Sequence, residues 1–232
     1  MFYKQYEKIY KKIAKDLNFN LKDDEKSSDT LNKLLQEKKL VSENYLQKYL
    51  SDKEVFVFGA GSSLENSIIK HKKKFKNKIL ISADGATSAL LKNDLIPDII
   101  VTDFDGNVID QINANSKKSI VVIHGHGDNI DKIKKYLPKL KGKIIGTTQT
   151  NPGSYKNLYN FYGFTDGDRA VYLADYFKAK KINLIGFDYN GEIGKYSFIK
   201  NKDIKQKLKK LEWCKYLINL LKKENKNIYY LY

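Results

Sequence analysis

Two carboxylates separated by one residue follow a run of apolar and β-branched side chains in Ile99-Ile100-Val101-Thr102-Asp103-Phe104-Asp105-Gly106-Asn107. The run reads as a buried strand, and the Gly-Asn pair as the turn that closes it. Carboxylates are hard oxygen ligands suited to Mg2+, which takes one or two of them and completes its shell with water and substrate phosphates. In an open α/β sheet the ligand crevice lies beyond the carboxyl ends of the strands, so Asp103 and Asp105 are expected to hold a polyphosphate there through its cation.

Other residues point to the same chemistry. Of three histidines, His124 and His126 stand two apart, with Asp128 at the same interval. Residues two apart in extended chain face the same way, so this trio can converge on a metal or on phosphate oxygens. The alternative is a glycine-broken loop whose imidazoles bond only backbone. Of 43 basic residues one, Arg169, is an arginine. In a chain that otherwise uses lysine, it marks a place for a planar two-pronged donor, unless Gly163-Phe164-Thr165-Asp166-Gly167-Asp168-Arg169 is only a helix-capping segment. Val55–Phe58 leads into Gly59-Ala60-Gly61-Ser62-Ser63-Leu64, a strand, glycine turn and helix start that can offer backbone N–H groups to phosphate. There is no third glycine and no Walker lysine, so the glycines can equally serve only a tight turn.

The elements that must carry these groups are legible from period and punctuation. Four more apolar runs end in polar or glycine-rich residues: Ile79–Ser82 before Asp84-Gly85, Ser119–Ile123 before His124, Ile144-Ile145 before Gly146-Thr147-Thr148-Gln149, and Ile182–Ile185 before Gly186-Phe187-Asp188-Tyr189-Asn190-Gly191. With the first two, six strands deliver polar residues at one end, which argues for an active site there. The predicted fold is α/β, a Rossmann-like open, mostly parallel sheet of about six strands with flanking helices, over residues 53–232. Residues 1–52 read as a helical N-terminal appendage. Phe2, Tyr6, Ile9, Tyr10, Ile13, Ala14 and Leu17 form one apolar helix face, Asn18 to Ser28 a polar loop, and Asp29 or Thr30 caps a second helix. No chemistry is read in the appendage, which is expected to pack on the main domain and to offer a homodimer surface. At the other end Ile204, Leu208, Leu211, Cys214, Ile218 and Leu221 predict a long helix, and Asn227 to Tyr232 a final strand. Cys214 falls on the apolar stripe and reads as core. Tyr155, Tyr159, Phe161, Tyr162, Phe164 and Tyr189 flank the polar loops and could stack on a flat heterocycle.

Composition sets the bounds. The 232 residues are 41% hydrophobic, enough for a core without staples, and one cysteine excludes an internal disulfide framework. The first residues are too charged for a secretory leader and no run reaches membrane-span length, so a cytoplasmic protein with no membrane partner is expected. A net charge of +16 invites a nucleic-acid reading. Base readers use arginine, and no binding motif is present, so no specific nucleic acid is expected; the charge can instead gather an anionic nucleotide.

Taken in order, Gly-x-Gly-Ser-Ser-Leu-Glu, Asp84-Gly85-Ala86, Pro97–Gly106, His124–Asn129, Thr147-Thr148-Gln149, Gly163–Arg169, and Gly186-Phe187-Asp188 with Gly194-Lys195-Tyr196-Ser197 resemble the archaeal 6-hydroxymethyl-7,8-dihydropterin pyrophosphokinases, a family similar to the thiamin pyrophosphokinase catalytic domain. The resemblance spans about residues 55 to 200, with Ser62 where the family usually carries proline. It implies transfer of diphosphate from ATP to the hydroxymethyl pterin with Mg2+, giving the pterin pyrophosphate and AMP, in folate or methanopterin synthesis. The roles implied are Mg2+ ligation by Asp103 and Asp105, with Asp128 as third ligand or base. Arg169 and Lys195 would neutralise phosphate, with His124 and His126 at the same mouth. Asp84, Asp166 and Asp168 are further polar candidates, and Gly59, Gly61, Ser62, Ser63, Gly85, Thr147 and Thr165 belong to the binding loops. The alternatives are another Asp-x-Asp enzyme, namely a thiamin pyrophosphokinase, a nucleotide-sugar transferase or a phosphatase using Asp103 as nucleophile, and a non-enzymatic basic binding module.

Overall fold

A computed structural model describes residues 3–189, 193–197 and 204–232; Phe2, Asn190 and Gly191, invoked above, lie outside the described residues. The chain begins with three helices, α1 (Tyr3–Asp16), α2 (Leu21–Leu34) and α3 (Glu43–Leu50). Strands and helices then alternate: β1 (Glu54–Phe58), α4 (Leu64–His71), β2 (Ile79–Ala83), α5 (Ala86–Lys92), β3 (Ile99–Thr102), α6 (Val108–Lys117), β4 (Ile120–Gly125) and α7 (Ile130–Tyr136). The rest is β5 (Ile144–Thr148), β6 (Leu158–Tyr159), α8 (Asp166–Tyr176), β7 (Lys181–Ile185), α9 (Ile204–Glu224) and β8 (Ile228–Tyr230). Among the described residues no helix is long and apolar enough to cross a membrane.

Among the described residues, eight strands join one sheet in the order β6-β5-β4-β3-β2-β1-β7-β8, with every neighbouring pair parallel. The sheet is thus wider than the six strands expected. β8 lies where a final strand was read; β6 is a two-residue strand, too short for any hydrophobic period to announce it. The chain walks outward from β1 to β6, then α8 returns it to the far side of β1, so the order reverses between β1 and β7. Such a reversal opens a crevice at the carboxyl edge of a sheet.

Side-chain alternation divides the core between the two faces. Val55, Val57, Ile81, Ile99, Val101, Ile120, Val122, Ile145, Ile182 and Leu184 point to one face, against α1, α3, α8 and α9. Phe56, Phe58, Leu80, Ile100, Val121, Ile123, Ile144 and Ile185 point to the other, against α2 and α4 to α7. A parallel sheet covered on both faces needs apolar residues at every strand position, which is why the strands read as continuous runs.

The N-terminal helices are built into these layers. Ile13 and Leu46 are fully buried on the first face and Leu31 and Leu35 on the second, and Tyr6 is fully buried as well. The second helix also starts earlier than the polar stretch suggested. Asn20 caps it, its side chain accepting from the Lys22 N–H at 3.1 Å. Its inward face carries buried Asp24, Ser27 and Ser28, which bond Gly127, Asn129 and Thr148 respectively. A helix face buried through polar pairs has no apolar period to read.

Candidate active site

A cavity of about 480 Å³ opens at the carboxyl edge of the sheet. Its walls are the ends of β1 to β5 and β7, the start of α8, the first half of α9 and the turn between α1 and α2. Three carboxylates converge in it: Asp84, Asp103 and Asp166 can each place an oxygen within 4.8 Å of the other two. Asp84 sits in the left-handed region at φ +41°, and the Thr102 hydroxyl and the Gln111 amide both donate to its Oδ1 at 2.8 Å. Asp103 leaves β3 just before Phe104, whose φ is +68° and whose ring is buried against Tyr136. That turn, closed by the Asp105 N–H donating to Asp103 Oδ1 at 3.0 Å, drives the phenyl ring into the core while both acids line the cavity. Asp166 is the first residue of α8, where the exposed N–H groups of the first turn favour negative charge.

The electrostatics are those of crowded acids. Burial, then the charge of Asp103, pushes Asp84 up to about 6, and burial with the charges of Asp103 and Asp84 raises Asp166 well above the carboxylate range. Burial would raise Asp103 too, but a hydrogen bond and the charge of His126 outweigh it and hold Asp103 near 2. A cluster of hard oxygen donors whose mutual repulsion no fixed cation fully cancels fits a small divalent cation.

His126 bridges two acids, Nε2 to Asp103 Oδ2 at 2.9 Å and Nδ1 to Asp128 Oδ1 at 2.8 Å. Burial opposes its charge, yet the two carboxylates lift it to about 9. His124 stacks on it, rings 5.9 Å apart, but its nitrogens face Thr147 Oγ1 at 3.1 Å and Gln149 Oε1 at 3.3 Å. Burial, Arg169 and His126 hold it well below the imidazole range, hence neutral. Arg169 is itself buried, donating from Nε to the Phe164 carbonyl at 3.0 Å and from Nη2 to Gln149 Oε1 at 2.7 Å.

At the sheet reversal the β1 and β7 loops touch. Gly61 N–H donates to the Gly186 carbonyl at 2.9 Å, and a Cβ at Gly61 would collide with Asp188 Oδ2 and that carbonyl. Asp188 accepts from both the N–H and the hydroxyl of Ser63 at 2.8 Å. The helix start at Ser63 is therefore engaged by a protein carboxylate.

Comparison with known proteins bears on this site. The sequence pattern of the family described as 6-hydroxymethylpterin diphosphokinase MptE-like matches residues 28–193. The 6-hydroxymethyl-7,8-dihydropterin pyrophosphokinase of Methanocaldococcus jannaschii is 43% identical, covering 94% of this chain and 95% of that protein. The chain belongs to the MptE-like family. The Pyrococcus furiosus protein of the same name is 38% identical over 96% of this chain and 95% of that one. The Methanothermobacter thermautotrophicus protein, again so named, is 43% identical over 81% and 79%.

In this MptE-like chain, Gly59, Gly61, Asp84, Gly85, Asp103, Asp105, His124, His126, Asp128, Thr165, Asp166 and Arg169 all line the one cavity. Ser62 is exposed, and Ser63, Thr147, Asp168 and Lys195 stand behind or beside the walls. Lys195 pairs with Glu65. Asp168 is fully buried, its Oδ1 accepting the Phe164 N–H at 2.7 Å, and burial pushes it up to about 7. The acids grouped in space also differ from the trio grouped by sequence. Asp105 pairs with Lys132 and Asp128 with His126, while Asp103 meets Asp84 from the end of β2 and Asp166 from the start of α8. Sequence reasoning missed the α1–α2 turn with Phe19 and Asn20, the network residue Gln111, and Lys207 and Lys210 of α9, and it placed Gln149 at a polar strand end without a role. The spacing of Lys207, Lys210, Leu211 and Cys214 on one helix stripe was the available signal for the last pair.

Proposed function

We propose that this chain transfers diphosphate from ATP to 6-hydroxymethyl-7,8-dihydropterin, giving the pterin diphosphate and AMP, with Mg2+ as the cation. The hydroxymethyl oxygen bonds to the β-phosphorus and releases its proton to solvent, the bond from that phosphorus to the α–β bridging oxygen breaks, and AMP leaves carrying that oxygen. The observation that carries the reading is the convergence of Asp84, Asp103 and Asp166 in a cavity at the sheet reversal, in a chain whose relatives carry the name of that activity. Phosphoryl-type transfer rests on positioning and charge neutralisation, which is what acids on rigid strand ends with a cation would supply. Asp84, Asp103 and Asp166 would hold Mg2+, which when bound neutralises phosphate charge.

The protein's own groups do the rest. Thr102 and Gln111 fix the Asp84 carboxylate, and His126, protonated at neutral pH, brings positive charge to the mouth. Asp128 is poorly suited to act as base, because the hydrogen bond from His126 holds its carboxyl low. The aromatic and apolar wall of Phe19, Phe164 and Phe187 is where a flat heterocycle would lie. We extend the reading to pterin cofactor synthesis in the cytoplasm by a homodimer.

The test is to incubate the protein with ATP, Mg2+ and the pterin alcohol and to resolve the nucleotides. AMP formed in step with pterin diphosphate is expected. ADP without AMP, or pterin left untouched, would overturn the assignment; a nucleoside diphosphate released from a nucleotide sugar would favour a sugar transferase instead.

A further inference from the structure

His126 is already shared by Asp103 and Asp128, so phosphate entering beside a divalent cation calls for a further positive group. A polyphosphate adds negative charge in a partly enclosed space that already holds three acids. The other cations near the site, Arg169 and Lys195 of the sequence reading and Lys132 found in the structure, are committed elsewhere. Arg169 is bound to the Phe164 carbonyl and to Gln149, Lys132 to Asp105, and Lys195 to Glu65 outside the cavity wall.

We propose that Lys210, on the first half of α9, is the phosphate-neutralising cation of this site; the inference rests on the diphosphate-transfer reading. Among the described residues, the lysines that line the cavity are Lys207 and Lys210, both on α9. The fully engaged part of that helix starts at Cys214, with Leu217, Ile218 and Leu221 buried behind it. The earlier turns overhang the cavity instead of the core, so the stripe of Lys207, Lys210, Leu211 and Cys214 faces the carboxyl edge of the sheet. Lys210 lines the cavity beside the α1–α2 turn, its ammonium 5.4 Å from the centroid of the Phe19 ring. Its charge reaches the floor of the site, adding to the stronger pull of His126 on both Asp103 and Asp128. An ammonium on a flexible four-carbon stem, resting on an aromatic face, is free to follow phosphate oxygens without breaking a fixed ion pair.

The experiment compares Lys210→Ala, Lys210→Arg and the exposed-site control Lys223→Ala with the parent chain. Three readouts are taken: AMP release with the pterin alcohol, equilibrium binding of ATP with Mg2+ and no pterin, and the thermal midpoint. Lys210→Ala is expected to lose about 100-fold in kcat/KM and to weaken ATP binding, with Lys210→Arg restoring most of both and Lys223→Ala matching the parent. ATP binding and turnover within twofold of the parent in Lys210→Ala would overturn the inference, as would equal losses in Lys223→Ala. A parent chain that forms no AMP but binds ATP in a Lys210-dependent way would remove the pterin reading and leave Lys210 in place.

Discussion

At the scale of single residues, the site depends on acids held where acids are disfavoured. Asp103 is the carboxylate whose charge His126 secures, and the proposed cation needs that charge. Asp103→Asn is expected to lower AMP release by at least about 100-fold with little change in thermal midpoint, since the amide keeps the shape but not the charge. Near-parental turnover would remove Asp103 from the reaction. Asp168 is the opposite case, an acid in α8 whose Oδ2 has no hydrogen-bond partner among the described residues and whose carboxyl burial pushes up to about 7. Its proton is held more tightly in the folded chain than in the unfolded one, so rising pH favours unfolding between the ordinary carboxylate value and about 7. Asp168→Asn keeps an acceptor for the Phe164 N–H and cannot ionise. Denaturant midpoints of the two proteins should therefore diverge in favour of the variant as pH rises from about 4 to 7. Parallel pH profiles would show that Asp168 is not held protonated.

Elements decide which residues meet. β1 and β7 bring the glycine loops into contact, β3 and α8 bring Asp103 to Asp166, and α9 swings Lys210 over the mouth. The N-terminal helices belong to this machinery. Tyr10 and Asp24 bond each other, Tyr10 also accepts from the Gln149 amide at 2.6 Å, and Gln149 reaches Arg169. α2 is tied to the second core layer through Leu31, which has no exposed surface. Leu31→Ala is expected to cost about 2–5 kcal/mol of global stability, measured by denaturant unfolding monitored at more than one probe. A small, local effect would mean that the N-terminal helices fold apart from the sheet. The early start of α2 was hidden because its buried face is polar, whereas the strands were legible because their apolar runs are continuous.

For the whole molecule, a net charge of +16 surrounds a mouth lined with acids. Such a field draws in anionic nucleotides over distances that salt shortens, so the KM for ATP should rise with ionic strength more than the KM for the neutral pterin. Steady-state kinetics between low and high salt decide it: equal salt dependence of the two constants would assign the charge to general solubility instead.

What the sequence by itself determined is what local chemistry can express. Period and punctuation placed six strands and their polar ends, and the motif order around Asp103, His124 and Arg169 pointed to a phosphate-handling α/β enzyme. What only the tertiary structure decided is which groups share space. Asp105 and Asp128 stand close to Asp103 or to His126 in the chain, yet Lys132 and His126 engage them, while Asp84 and Asp166 come from positions 19 residues before and 63 residues after Asp103 to complete the acidic trio. Convergence of that kind depends on strand order and on the reversal between β1 and β7, and strand order is set by packing among distant segments, which no local spacing encodes.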